Sequence, residues 1–354
     1  MSSASTSSQN QSSFCEIKSI GCYPALWWPL LITSNDFLSF VLNLLVVVVV
    51  LRFKALRSTK EYLLVFFLAL ADALNGMAGT MGHGWRAINV LRGTVCSCMS
   101  TIICMLLPYN WIWRWCDFAQ TGMLLAISCD RLFALSYPTA YFKCTKRYAI
   151  NVGLAVYALA LICLVPAWIY PIANASKPVA MVCLPGQFIS KYYYQFGKFT
   201  SSFLAALSVL AYAVVWIKFK RTMGSKVIAT KGEDPSQKLY RKRQRKITLT
   251  LGISSLCTFF LGVLPRAIGI YFKVHLPSVK MFTLSPGDFI FQLEKWNANA
   301  NFIIYAARHE EIRQGFMALV SCARMPESLT NWEGMASQAK SSQISAVEKQ
   351  TGHK

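Results

Sequence analysis

Ionisable side chains stand inside long apolar stretches of this chain, where they could bind a ligand or pair with one another. Arg114 and Asp117 are three residues apart, so they share one face of a helix. Glu294 and Lys295 are adjacent in another stretch, and Arg266 lies in a third. A charge in an apolar medium needs a partner, so these five residues are candidates for ion pairs or for contact with a polar ligand.

Lys295 permits a further kind of chemistry. A lysine that is shielded from water can lose its proton and form a Schiff base with a carbonyl group of a ligand. The alternative is a salt bridge between Lys295 and Asp117. Both hypotheses stay open at the level of the sequence.

The chain lacks a recognisable catalytic or metal-binding pattern. An intramembrane hydrolase needs a nucleophile beside a base, or two paired carboxyl groups, and no such pair stands out. The four histidines lie outside the predicted spans given below. Cys96 and Cys98 near His83 lack a fourth zinc ligand at a familiar spacing. We therefore predict neither an enzyme nor a metal site.

Membrane-spanning helices are the elements that must position these residues. Hydrophobic residues make up 55% of the chain, charged residues only 14%, and the mean hydropathy is +0.40. A span needs about 20 mostly apolar residues. Seven stretches fit, and an all-α polytopic membrane protein with a seven-transmembrane helix bundle is predicted; the stretches are 29–51, 62–82, 104–127, 149–171, 196–217, 247–271 and 285–306.

Lys and Arg are distributed unequally between the two sides of this bundle. The loops on one side carry more than twice as many as the segments on the other, with the densest run at 241–246. Cytoplasmic loops are enriched in Lys and Arg, so the N-terminus is predicted outside the cell. The glycosylation sequons at Asn10 and Asn174 agree with this orientation. The net charge of +21 then reflects topology and contact with anionic lipid, not nucleic acid.

Three regions follow from the spans. Residues 1–28 are predicted to be an extracellular segment that is partly disordered, without a cleavable signal peptide. Residues 29–322 form the transmembrane domain, which ends in a short amphipathic membrane-surface helix from Arg308 to Cys322, with Cys322 as a candidate acylation site. Residues 323–354 are predicted to be a disordered cytoplasmic tail.

Short motifs stand in a fixed order along the spans. In chain order they are Asn43, Leu68–Asp72, Asp130–Leu132 with Tyr137–Pro138, Tyr212, Pro265 and Asn301–Tyr305. Over residues 29–322 this pattern resembles rhodopsin-like G-protein-coupled receptors. The stretch from Asp130 to Tyr141, and the Glu311, Arg313 and Phe316 run, are most similar to nematode serpentine chemoreceptors of the SRSX class or a neighbour.

The resemblance implies a chemosensory receptor in the plasma membrane, typically of a sensory cilium. A small polar ligand would bind in an outer pocket, the inner ends of helices five and six would move outward, and a heterotrimeric G protein would dock. The ligand-binding candidates are the five charged residues named first. The implied G-protein switch consists of Asp130, Arg131, Tyr212, Asn301 and Tyr305.

The resemblance also implies a polar network around Asp72 in the bundle core, with water and a sodium ion. Its other members are Asn43, Gln120, Asn297 and Asn301. Gln120 stands where the family often has serine, which puts the sodium site in doubt. Arg245 stands where many relatives carry an acidic partner for Arg131, so that inner ion pair is not expected.

An outer disulfide is a further implication. It would join Cys183 to the top of the third helix, where Cys104 is the first candidate and Cys96 and Cys98 are rivals.

Two alternative functions remain. Lys295 precedes Asn301 by the same offset as the retinal-attaching lysine of visual opsins, which would make retinal the cofactor; otherwise no cofactor is predicted. A membrane transporter is less favoured, because the internal repeat of many transporters is missing.

Overall fold

The computed structural model describes residues 27–94, 97–226, 249–250, 252–265, 268 and 286–321. Helices dominate this part of the chain. Those with complete bounds are α1 (Trp27–Arg52), α2 (Lys54–Arg57), α3 (Lys60–Leu91), α4 (Thr101–Leu106), α5 (Pro108–Ser136), α6 (Pro138–Lys143), α7 (Lys146–Leu164), α8 (Ile169–Ala173), α9 (Pro185–Phe188), α10 (Lys191–Lys226), α11 (Pro286–Arg308) and α12 (Glu310–Val320). A 3₁₀ turn, Val165–Trp168, joins α7 to α8.

Helical segments occupy all seven predicted spans, and the chain folds as a seven-helix membrane bundle. Among the described residues, five spans are long and apolar enough to cross a bilayer: α1, α3, α5, α7 through α8, and α10. The sixth segment is helical at 252–265 and includes a π-helical turn, Phe259–Val263. The seventh span is α11, whose polar residues weaken its hydropathy. Leu154, Leu159 and Ile162 of α7 are more than half exposed, as expected for side chains that face lipid.

The third span begins differently from the prediction of 104–127. A short helix, α4, ends at Leu106, and α5 starts at Pro108 and continues to Ser136. Leu107 between them is extended, with φ −61° and ψ 120°. Proline disfavours a helical conformation of the residue before it, so the break follows from the Leu107-Pro108 sequence.

The second span is longer than the predicted 62–82. Helix α3 continues to Leu91, and Gly93 beyond it adopts a left-handed conformation with φ 67°. Glycine is the residue that tolerates this conformation best, so the stop lies at Gly93. His83 therefore lies inside a spanning helix, and the prediction that placed it outside the spans is wrong.

The two ends of the bundle are called outer and inner after the predicted orientation. The loop that follows α8 covers the outer end. Two short strands, β1 (Cys98–Ser100) and β2 (Pro178–Ala180), pair in antiparallel orientation, with Cys98 opposite Ala180. A disulfide joins Cys104 to Cys183, and Cys98 belongs to a separate disulfide. The candidate pair Cys104–Cys183 is therefore the one that forms.

The last helix, α12, lies against the inner end of α1. It buries Ile312, Gly315 and Ala318, which are three residues apart and share one face, while Val320 is 87% exposed. A side chain at position 315 would meet Val49 of α1, so glycine permits this close contact. The predicted amphipathic helix is present, and Cys322 lies outside the described residues.

Candidate functional site

A polar cavity lies among α3, α5, α10, the sixth segment and α11. Its apolar walls include Leu68, Trp113 and Ala205. Its polar lining consists of Asp72, Asn75, Asp117, Gln120, Thr121, Thr258, Lys295, Asn297 and Asn301. Two of the five predicted ligand residues, Asp117 and Lys295, thus line the cavity, together with four of the five residues of the predicted polar network.

Arg114 and Asp117 form an ion pair along one face of α5. Arg114 Nη1 lies 3.1 Å from Asp117 Oδ2. The guanidinium group is also about equally far from two aromatic rings, 5.9 Å from the centroids of Trp113 and Tyr194. Asp117 lines the cavity, whereas Arg114 is not among its lining residues, so the two candidates differ in their access to the cavity.

Lys295 is buried and held by three other helices. Its Nζ lies 3.0 Å from Asp36 Oδ1 of α1 and donates to Asn75 Oδ1 of α3 at 3.1 Å. It also lies 4.9 Å from the ring centroid of Trp113 of α5. The ion pair that the structure shows for Lys295 is with Asp36, an acidic residue other than the Asp117 that the sequence suggested.

Asp36 binds a second basic side chain as well. Its Oδ2 lies 2.8 Å from Nδ1 of His83, and both residues are buried. Gly79 lies one turn before His83, and a side chain there would overlap the Asp36 carboxylate. The glycine therefore makes room for Asp36 between α1 and α3.

A chain of hydrogen bonds connects Lys295 to Asp72 across the cavity. Lys295 donates to Asn75, whose Nδ2 donates to Oε1 of Gln120 at 2.9 Å. Gln120 Nε2 in turn donates to Asp72 Oδ1 at 2.6 Å. The outer group of charged residues and the inner polar network are thus one continuous network.

Other members of the predicted network occupy different surroundings. Asn43 donates to the backbone carbonyl of Ser39 in its own helix, at 3.0 Å. Asn301 accepts a hydrogen bond of 2.5 Å from Ser254 of the sixth segment. Asn297 lines the cavity. Asn301 is therefore the member that links α11 to the sixth segment.

Two predicted ligand residues cannot be placed. Arg266 lies outside the described residues. Arg245, which the sequence analysis discussed in connection with Arg131, also lies outside them. Glu294 belongs to α11, but its side chain is outside the described part of the chain. Their contacts with a ligand stay predictions.

Arg131 is completely buried at the inner end of α5. It is paired with the carboxylate of its neighbour Asp130, and its Nη2 lies 2.6 Å from the hydroxyl of Tyr141. Tyr141 belongs to the short helix α6 in the second inner loop. A loop residue therefore holds Arg131 in addition to the aspartate.

The second inner loop is itself anchored to the start of α3. Glu61 Oε1 lies 3.3 Å from the Tyr141 hydroxyl. Lys60 bonds to the backbone carbonyls of Tyr141 and Cys144, and its Nζ lies 3.5 Å from the centroid of the Tyr141 ring. These contacts keep Tyr141 under the end of α5.

The two remaining switch candidates are buried near the inner ends of their helices. Tyr212 of α10 faces the sixth segment, where a side chain at Gly252 would lie 3.0 Å from its ring. Tyr305 of α11 lies 6.2 Å, between ring centroids, from His309 at the start of α12. Each tyrosine lies between two helical segments, so a change in the distance between those segments would change its contacts.

Asp36 and Tyr141 are two of the residues with a clear structural role that the sequence analysis did not assign. The signal for Asp36 was present, because an acidic residue within a predicted span is itself a candidate for function. Tyr141 was noted only as part of a motif. Its contact with Arg131 depends on the fold of α6, which no local pattern predicts.

A family model described as 7 transmembrane receptor (rhodopsin family) matches residues 42–305. The matched range covers most of the chain and includes the cavity, Arg131 and the motif that ends at Tyr305. It begins one residue before Asn43 and so excludes Asp36.

Proposed function

Because the chain belongs to the rhodopsin family of seven-transmembrane receptors, we propose that it binds a small polar ligand between its helices and activates a heterotrimeric G protein. It is accordingly a multi-pass membrane protein. The observation that carries the proposal is the joint presence of a polar cavity and a restrained arginine at the opposite end of α5.

The cavity supports a polar ligand. Asp117 and Lys295 line it alongside amide and hydroxyl side chains. A purely apolar molecule would bury these groups without replacing their hydrogen bonds to water, which is unfavourable. Arg114 would act by neutralising Asp117, and Arg266 and Glu294 remain proposed contacts.

The inner end supports a two-state receptor. Arg131, held by Asp130 and Tyr141, would be released for the G protein when the inner ends of the helices separate. Tyr212, Asn301 and Tyr305 lie where such a movement would change their neighbours. A ligand can drive the change only if it binds one state more tightly than the other.

The finer assignment is to chemoreception. Two stretches of sequence, Asp130 to Tyr141 and Glu311 to Phe316, favour a relative of the nematode SRSX receptors. We propose a plasma-membrane location, typically a sensory cilium, with the N-terminus outside and glycans on Asn10 and Asn174. Residues 1–28 and 323–354 would flank the receptor domain of residues 29–322.

The retinal alternative has one supporting observation. Lys295 is buried, lines the cavity and lies 3.0 Å from a carboxylate, as a Schiff base with its counterion would require. The contacts to Asn75 and Trp113 favour instead a lysine that is held by structural partners. Mixing the purified receptor with 11-cis-retinal tests this: an absorption band shifted to the red would establish the opsin alternative, and its absence would remove it.

The proposed function is tested in cells that express the chain and report G-protein activation. A panel of small polar compounds is applied, and uptake of labelled panel members is measured in parallel. The expected result is activation by at least one compound without uptake. Uptake without activation would instead support a transporter.

A further inference from the structure

The ionisable groups around the cavity are not all neutralised by the protein. Lys295 is paired with Asp36 at 3.0 Å, and Asp117 with Arg114 at 3.1 Å. Asp72 also lines the cavity and is only 3% exposed. No basic side chain among the described residues lies within ion-pair distance of Asp72. Asp72 is therefore an acidic group of the cavity to which the described residues supply no ion-pair partner.

Two buried acceptor oxygens of the cavity also lack a hydrogen-bond donor. Gln120 donates to Oδ1 of Asp72, and Asn301 lies close to the same carboxylate, but Oδ2 accepts no hydrogen bond by distance and angle. Oδ1 of Asn297 is likewise buried and accepts no hydrogen bond. Among the described lining residues, these two oxygens are the fully buried polar atoms without a hydrogen bond. Both are acceptors, so the cavity is suited to a ligand that donates.

A sodium ion, which the family implies beside this aspartate, does not fit these residues well. Hard cations such as Ca²⁺ and Mg²⁺ take about six oxygen ligands. The Gln120 amide group directs an N–H donor at Asp72 Oδ1 and so occupies one of the lone pairs that a cation would use. Among the described lining residues, Asp72 Oδ2 and Asn297 Oδ1 are the buried oxygens that accept no hydrogen bond.

An ammonium group fits the same arrangement. It carries one positive charge and three N–H donors, which can satisfy two acceptors without a complete shell of oxygens. We propose that the ligand of this cavity is a small protonated amine, with its ammonium group bound to Asp72 and Asn297. The proposal rests on the proposed function, because it names the chemistry of the ligand for the same cavity.

The space in the cavity sets the size of such an amine. Its volume is about 60 Å³. One water-sized group needs roughly 10–15 Å³ by the same measure, so the ammonium nitrogen and a few carbon atoms fill it. n-Propylammonium is a suitable probe, and n-propanol is a neutral molecule with the same number of heavy atoms.

The test measures the melting temperature of the purified full-length receptor in lipid nanodiscs at constant ionic strength. A ligand that binds the folded protein raises the melting temperature as its concentration rises. We expect n-propylammonium chloride to raise it by several degrees, and neither n-propanol nor sodium chloride to do so. Asp72→Asn should abolish the shift, while Glu310→Gln, an exposed acidic site on α12, should retain it.

Three results of this measurement would overturn the inference. They are the absence of a shift with n-propylammonium, an equal shift with sodium chloride, and an undiminished shift in Asp72→Asn. If that variant does not fold, the comparison of the three probes on the unaltered receptor decides alone. G-protein activation by a compound that is not an amine, without amine binding, would refute this inference and leave the proposed function intact.

Discussion

Asp36 is a completely buried carboxylate that binds basic side chains from two other helices. Lys295 of α11 and His83 of α3 both lie within 3.0 Å of it. Removing one member of a buried ion pair leaves a charge without compensation, which costs more than the pair contributes. At the scale of single residues, Asp36 therefore links α1 to both α3 and α11.

Asp36→Asn should destabilise the receptor by about 3–5 kcal/mol, because Lys295 keeps its charge and loses its counterion. The double variant Asp36→Asn with Lys295→Met removes both charges and should recover much of the loss. Thermal unfolding of the purified variants measures this difference. Equal losses in the single and double variants would show that Asp36 does not act through charge pairing.

Tyr141→Phe should raise the basal activity of the receptor. The hydroxyl that it removes binds Arg131 at 2.6 Å, and a hydrogen bond to a charged group contributes about 1.5–3 kcal/mol. The released arginine would then be available more often, which predicts a basal G-protein activation roughly tenfold higher. Basal nucleotide exchange at matched receptor levels measures the effect.

Tyr137→Phe is the matched control for this prediction. Tyr137 precedes the same inner-loop helix, but it is 64% exposed. Its loss should leave basal exchange unchanged. A similar rise in both variants would mean that the loop, and not the bond to Arg131, determines basal activity.

At the scale of elements, the close approach of α1 and α3 depends on glycine. A Cβ atom at position 76 would lie 2.8 Å from the backbone oxygen of Asp36, and one at position 79 would overlap the Asp36 carboxylate. Cβ atoms in proteins are essentially never found this close to other heavy atoms. The two glycines thus allow a charged residue to be buried between two spanning helices.

Gly79→Ala should lower the stability by about 1–3 kcal/mol, because the added methyl group forces Asp36 to move. Gly84→Ala in the same helix is the control, since nothing lies within 4 Å of the added atom. It should be neutral or stabilising, by up to about 1 kcal/mol, through helix propensity. Melting temperatures of the two variants decide: a loss no larger at position 79 than at position 84 would remove the steric argument.

At the scale of the whole molecule, the hydropathy and the charge distribution of the sequence predicted most of the architecture. Seven spans, the final amphipathic helix and the pairing of Cys104 with Cys183 follow from local patterns and from the resemblance. The partner of Lys295 did not follow, because Asp36 and Lys295 are far apart in the chain and several acidic residues could have served. The extent of α3 was underestimated because Gly82 and Gly84 weaken the helical signal without ending the helix.

The orientation of the molecule is a separate prediction. An epitope placed before Met1 should bind antibody on intact cells, and one placed after Lys354 only after permeabilisation. The reason is the excess of Lys and Arg in the predicted inner loops. The reverse pattern of staining would place the cavity and Arg131 on the wrong sides for a receptor of external ligands.

The central claim is that Arg131 transmits activation to a G protein, and nucleotide exchange on a purified heterotrimeric G protein tests it most directly. The receptor is reconstituted in lipid nanodiscs, with and without an active compound from the panel. Arg131→Ala should abolish the exchange, while Arg147→Ala, an exposed arginine at the start of α7, should retain it. Full exchange by Arg131→Ala would contradict the mechanism proposed for this receptor.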